Sequence, residues 1–175
     1  MKLSDTLTGE KREFEPAGDV VSIYVCGVTP YSASHVGHAM SYIVFDVLHR
    51  YLEFRGYKVR RVQNFTDIDD KLIARAAQQG STVEELAGQY IDEYFEDMDA
   101  LNVRKADEYP RATREVPKII EMIAGLIEKG FAYPSNGDVY FRVTKDPSYG
   151  KLSHRSVDQM RAGARVEPGV EKDHP

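Results

Sequence analysis

The strongest constraint on this chain is the order of three segments near its start. Val20 to Val25 is an apolar, β-branched run that stops at Cys26-Gly27, as a buried strand stops at a sharp turn. Met40, Ile43, Val44, Val47, Leu48, Tyr51 and Leu52 then recur at three-and-four spacing, and Gly56 stands where a left-handed helix cap belongs. Lys58 to Phe65 returns to β-branched and aromatic residues and reads as a second strand. Strand, helix and strand within about 45 residues make a crossover unit, which in a parallel sheet is right-handed. The expected class is therefore α/β.

Beyond Asp67 the pattern becomes helical. Asp70 to Gln79 ends at Gly80, and Ser81-Thr82-Val83-Glu84 has the spacing of a capping box with Ser81 as cap and Glu84 as its partner. Val83, Leu86, Ala87, Tyr90, Ile91, Tyr94, Met98 and Leu101 follow on one face. A further helix is expected from Val116 to Lys129, with Pro117 in its first turn and Gly130 after its end. Phe131 to Pro134 and Asp138 to Val143 flank Asn136-Gly137, a dipeptide suited to the positive φ angles of a tight hairpin. From Thr144 the chain turns polar and Gly-rich, with no cap or strand to close it.

Composition narrows the partners. A net charge of -5 excludes a protein that holds nucleic acid through a broad basic field, so any such contact must be local. No stretch approaches the roughly 18 consecutive apolar residues of a membrane span, and Met1-Lys2-Leu3-Ser4-Asp5 lacks an export pattern, which leads us to expect a cytoplasmic protein. Cys26 is the single cysteine, so the chain forms no internal disulfide and its thiol is left for metal or packing.

His35-Val36-Gly37-His38 falls between the first strand and the helix, where a doubly wound fold places its phosphate site. Helix amides and two imidazoles could hold triphosphate oxygens and stabilise charge growing at an α-phosphate under attack by a carboxylate. Gly37 leaves room for a nucleotide base. The same four residues also fit a surface cap pair, and Cys26 at a strand end also fits a small buried apolar residue. Cys26, His35 and His38 as a compact metal site is a third possibility, and a non-catalytic nucleotide-binding module a fourth.

Tyr24-Val25-Cys26-Gly27-Val28-Thr29-Pro30-Tyr31-Ser32-Ala33-Ser34-His35-Val36-Gly37-His38-Ala39 resembles the signature of cysteinyl-tRNA synthetases. Phe45-Asp46-Val47-Leu48, Asn64-Phe65-Thr66-Asp67-Ile68-Asp69-Asp70-Lys71, Pro110-Arg111-Ala112-Thr113, Tyr149-Gly150-Lys151-Leu152-Ser153 and Arg161-Ala162-Gly163-Ala164-Arg165-Val166 continue the likeness in the family's order. The order Val28-Thr29-Pro30-Tyr31 departs from that family's usual form and also occurs in the related ligase that joins cysteine to an amino sugar in mycothiol synthesis.

The resemblance implies the first half of a Rossmann-like, HUP-type ATP-binding domain over residues 1–79. A mainly helical insertion with a small hairpin would follow over 80–150, and 151–175 would lead toward a second half. It implies activation of L-cysteine by ATP, with Mg2+, and transfer to tRNA(Cys) by a monomeric enzyme. His35 and His38 would be catalytic. Val28, Thr29, His35, Gly37 and His38 would meet ATP, and Cys26, Gly27 and Thr66 would meet the amino acid. Cys26 would ligate Zn2+, while Arg111, Arg114 and Lys118 would meet tRNA. The family's KMSKS loop and remaining zinc ligands have no counterpart here, so the chain alone is expected not to charge tRNA.

Overall fold

The computed structural model describes residues 1–156; Arg161 to Val166, and the rest of the expected tail beyond Ser156, lie outside them. The chain divides into two compact units, Pro16–Val116 and Met1–Glu15 together with the described residues from Pro117 onward.

The Pro16–Val116 unit contains β3 (Val20–Val25), α1 (Val36–Phe54), β4 (Lys58–Gln63), α2 (Asp70–Gln79), α3 (Val83–Ala100) and the start of α4 (Ala112–Glu128). β3 and β4 pair in parallel, Val20 opposite Lys58 and Val25 opposite Gln63, so the expected strand-helix-strand unit is present. The segment before α4 runs beside β4 as an irregular third strand. Gln63 N–H donates to Glu108 O, Phe65 N–H to Pro110 O and Ala112 N–H to Phe65 O.

β3 is buried on one face only. Val21, Ile23 and Val25 are covered while Val20 and Tyr24 are exposed, which corrects the reading of an evenly buried run. The same correction applies more strongly to α1. Its buried residues are Tyr42, Asp46, His49 and Leu52, while Met40, Val44 and Val47 of the expected apolar stripe are 59 to 68 % exposed. The inward face is polar because Asp46 finds partners there. The Asp46 carboxylate accepts from Arg50 Nε at 2.7 Å and from Arg104 N–H at 3.1 Å and faces Arg61 at 3.6 Å, and Arg61 donates to Arg104 O. Beyond this network, Tyr42, Phe65, Tyr94, Phe95 and Tyr109 form an aromatic cluster with edge and stacked contacts at 4.9 to 5.6 Å.

Two helix starts differ from expectation. Thr82, not Ser81, caps α3, with Thr82 Oγ1 accepting from Glu85 N–H and the Glu85 carboxylate accepting from Thr82 N–H. Ser81 is committed to the end of α2, where its N–H donates to Ala76 O. α4 begins at Ala112 rather than Val116, leaving Pro117 inside the helix. The expected face of α3 is largely buried, Leu101 excepted. Asp69 caps α2 by accepting from Lys71 N–H.

The other unit holds β1 (Lys2–Asp5) paired antiparallel with β2 (Glu10–Glu13), most of α4, and β5 (Ala132–Ser135) paired antiparallel with β6 (Asp138–Phe141). Asn136 and Gly137 take φ of 51° and 91°, as the hairpin reading requires. The β1–β2 hairpin was not legible in the sequence. Both strands are polar and exposed, and they lack the alternation that marks a half-buried strand.

Candidate functional site

Parallel pairing of β3 and β4 brings the chain after Val25 beside the chain after Gln63. Cys26-Gly27 and Asn64-Phe65-Thr66 thus leave the sheet together, at the carboxyl end where open α/β sheets bind ligands. The approach is close enough to require glycine. A Cβ on Gly27 would lie 1.4 Å from Asn64 O. Gly27 N–H donates to Asn64 Oδ1 at 2.8 Å, Tyr24 Oη–H donates to the same oxygen at 2.9 Å, and Asn64 Nδ2 donates to Thr66 Oγ1 at 3.3 Å. Thr66 N–H donates to Val28 O at 3.0 Å, and Thr29 O accepts from Tyr31 N–H. Val28 is buried, and Cys26 is exposed, contrary to the reading of a buried apolar thiol.

His35 is the N-cap of α1, with extended backbone at φ -131° and ψ 170°. Its Nδ1 accepts from Gly37 N–H at 3.1 Å and His38 N–H at 3.4 Å, while His38 Nδ1 accepts from His35 N–H at 3.3 Å. This is a capping box built from two imidazoles. The rings stack with centroids 3.8 Å apart. The helix amides expected to be open for an anion are therefore held by His35, because its extended backbone folds the ring over its own helix start. A Cβ on Gly37 would come within 2.9 Å of His35 Cε1, so glycine at that position makes room for the imidazole. With each Nδ1 accepting, the neutral tautomer of each ring carries its proton on Nε2. Partial burial, and then repulsion from His35, hold the His38 pKa below 6.5 and favour that neutral form.

Arg111 and Arg114 line a cavity of about 380 Å3 with Asp67, Glu84, Val83 and Thr113. Asp67 is buried, and its carboxylate accepts from Thr113 N–H at 2.9 Å and from Thr113 Oγ1–H at 2.6 Å, which caps α4 from a distant loop. Asp67 and Asp69 thus serve structure, as their positions suggest. Lys118 is exposed on α4, in the other unit.

Among the described residues no three His, Cys, Asp or Glu side chains converge to hold a metal, so Cys26, His35 and His38 do not form the compact site considered above. Cys26 offers one exposed thiol where zinc needs three or four protein ligands. The described residues do not fit a zinc site by themselves. Among the described residues no helix is long and apolar enough to cross a membrane.

The profile of the tRNA synthetases class I (C) catalytic domain matches residues 13–175. The chain belongs to that family. It is 58% identical over 176 residues to the cysteine-tRNA ligase of Dehalococcoides mccartyi, covering the whole of this chain and 38% of that protein. It is 52% identical to the cysteine-tRNA ligase of Caldicellulosiruptor saccharolyticus over the same shares. The chain therefore spans 38% of the length of these curated relatives. Among solved structures, the Mycobacterium tuberculosis methionyl-tRNA synthetase in complex with methionyl-adenylate matches with a TM-score of 0.58 and 27% identity, covering 65% of this chain and 24% of that one. These likenesses support the class I synthetase fold and the expectation of a parallel nucleotide-binding half.

Proposed function

We propose that this chain supplies the ATP- and cysteine-binding part of a cysteine-tRNA ligase, in which L-cysteine is activated to cysteinyl-adenylate and passed to tRNA(Cys). The observation that carries the reading is the joint placement of Cys26, Gly27 and Thr66 at one end of the parallel pair, with the His35–His38 box starting the helix between its strands. That a methionyl-tRNA synthetase of related fold holds an aminoacyl-adenylate supports it.

In activation, a carboxylate oxygen of the amino acid bonds to the α-phosphorus while the bond from that phosphorus to the bridging oxygen breaks and pyrophosphate leaves. The nucleophile is already ionised, so no protein base is needed. His35 and His38 act by donating from Nε2 to phosphate oxygens as charge builds. For the first-turn amides of Gly37 and His38 to join them, the His35 ring must leave its capping position. Val28, Thr29 and Gly37 line the nucleotide side, with Mg2+ accompanying ATP. Cys26, Gly27 and Thr66 line the amino-acid side. Cys26 would contribute one thiolate to Zn2+ and needs further ligands that the described residues do not supply.

Arg111, Arg114 and Lys118 are proposed to meet tRNA, the first two at the rim of the Asp67 cavity. Residues 1–79 take the role of ATP-binding half, 80–150 that of insertion, and 151–175 that of connection. This division of roles does not follow the boundaries of the two compact units. The complete enzyme, of which this chain would be a part, is proposed to be a cytoplasmic monomer.

The test is calorimetric titration of the chain with ATP, L-cysteine and L-serine, alongside cysteine-dependent exchange of pyrophosphate into ATP. Saturable binding of ATP together with a preference for cysteine over serine supports the reading. Absence of both would sink it.

A further inference from the structure

Asn64 has no role in the reading above, yet every polar atom of its side chain except one amide hydrogen is engaged at the amino-acid end. Its Oδ1 accepts from Gly27 N–H at 2.8 Å and from Tyr24 Oη–H at 2.9 Å, and its Nδ2 donates to Thr66 Oγ1 at 3.3 Å. These bonds reach from one strand end to the turn after the other and then to a hydroxyl two residues on. The backbone oxygen of Asn64 also fills the space where a Gly27 Cβ would stand.

An amide is the side chain that can do this. It offers an acceptor with two lone pairs and a donor on one short, planar group. Aspartate of the same shape would keep the two acceptor bonds and lose the donor. Because Thr66 Oγ1 already accepts from Asn64, its own hydroxyl hydrogen is left to point elsewhere. Thr66 is thereby presented as a donor, and the Cys26-Gly27 turn is held beside it.

We infer that Asn64 is a positioning residue that fixes the Cys26-Gly27 turn and orients the Thr66 hydroxyl as a hydrogen-bond donor toward an acceptor on the bound amino acid. Its clamp on Gly27 follows from geometry alone, while its effect on ligand rests on the cysteine-binding role proposed above.

The experiment compares Asn64→Ala and Asn64→Asp with the wild-type chain by residue-resolved amide exchange and by titration with L-cysteine. In Asn64→Ala, Gly27 exchange should rise by about fivefold to tenfold, the scale of one lost hydrogen bond, while Leu72 and Ile91 in the core stay protected. Asn64→Asp should keep Gly27 protected. Unchanged Gly27 exchange in Asn64→Ala, or lost protection in Asn64→Asp, overturns the clamp, and the aspartate variant decides the matter should the alanine variant not fold.

For the ligand, Asn64→Asp and Thr66→Val should each weaken L-cysteine binding, and the double variant should be no weaker than Thr66→Val alone. Losses that add would show that Asn64 does not act through Thr66 and would overturn its positioning role. A wild-type chain with no affinity for L-cysteine counts against the cysteine-binding reading, and the exchange measurement still decides the clamp.

Discussion

His35 and His38 lie face to face, their ring planes 11° apart and their centroids 3.8 Å apart at the first turn of α1. Two protonated imidazoles cannot share that arrangement without strong repulsion. Burial first, and His35 second, lower the His38 pKa below its ordinary 6.5. The unfolded chain therefore takes up this proton more readily than the folded one. Stability is fully present above 6.5 and falls as pH drops from there toward the lowered folded value. An NMR titration of the two Cε1 protons should give a first midpoint below 6.5 for His38, and His35→Ala should raise it. A His38 midpoint unmoved by that substitution would mean that the rings do not stack in solution.

The Asp67–Thr113 contact makes a second prediction. A buried carboxylate takes both the amide and the hydroxyl of Thr113 and so caps a helix 46 residues away in sequence. Asp67→Ala should cost roughly 2 to 3 kcal/mol, since it removes two charge-assisted bonds and leaves the Thr113 amide and hydroxyl without their acceptor. Thr113→Val should cost less, because its amide survives. Thermal melts of the two variants check the order, and an Asp67→Ala protein as stable as wild type would contradict the capping role.

That cap also explains what could be read from residues alone. The crossover unit, the Asn136-Gly137 hairpin and the buried face of α3 were legible because local periodicity and turn chemistry decide them. The start of α4 was not, because its cap comes from Asp67, and Pro117 looks like a first-turn residue when that cap is out of sight. The facing of α1 was misread for a related reason. Its apolar stripe is the stronger pattern, but Asp46 turns inward to meet Arg61 and the Arg104 backbone, partners brought by other segments, while the buried His49 bonds Glu53 one turn along the same helix. At the site, the histidines and Thr66 carried a signal, whereas Asn64 carried none beyond a polar residue at a strand end.

Gly27 allows no larger residue. With a Cβ placed 1.4 Å from a backbone oxygen, Gly27→Ala must separate the ends of β3 and β4. A loss above about 4 kcal/mol, or failure to fold, is expected. Gly88, where a Cβ meets nothing within 4 Å, serves as the control: Gly88→Ala should be neutral or stabilising. Equal melting behaviour of the two variants would contradict the close approach.

The outward stripe of α1 predicts association. Val36 and Phe54 are 86 % and 84 % exposed, and Met40, Val44 and Val47 lie between them. Apolar surface of that extent facing water drives self-association. Sedimentation of the isolated chain should show concentration-dependent oligomers, and Val44→Glu with Val47→Glu should shift it toward monomer without lowering the melting temperature. A wild-type chain that stays monomeric at high concentration would reject this.

The buried ion pair beneath α1 supports the last prediction. Asp46 and Arg61 have side chains only 8% and 3% exposed, separated by 3.6 Å, and each also bonds the Arg104 backbone. Removing one charge strands the other away from water, so Asp46→Ala should cost about 3 to 5 kcal/mol. Removing both charges costs less than the sum. Arg61→Met replaces the guanidinium stem with apolar atoms, and the double variant Asp46→Ala with Arg61→Met should recover part of the loss seen in Asp46→Ala alone. Arg104 would lose its carboxylate acceptor in either case, so recovery should be incomplete. Urea denaturation of the four proteins closes the cycle. Strictly additive losses would show that the two side chains do not interact and that the polar face of α1 is held by the Arg50 and Arg104 contacts alone.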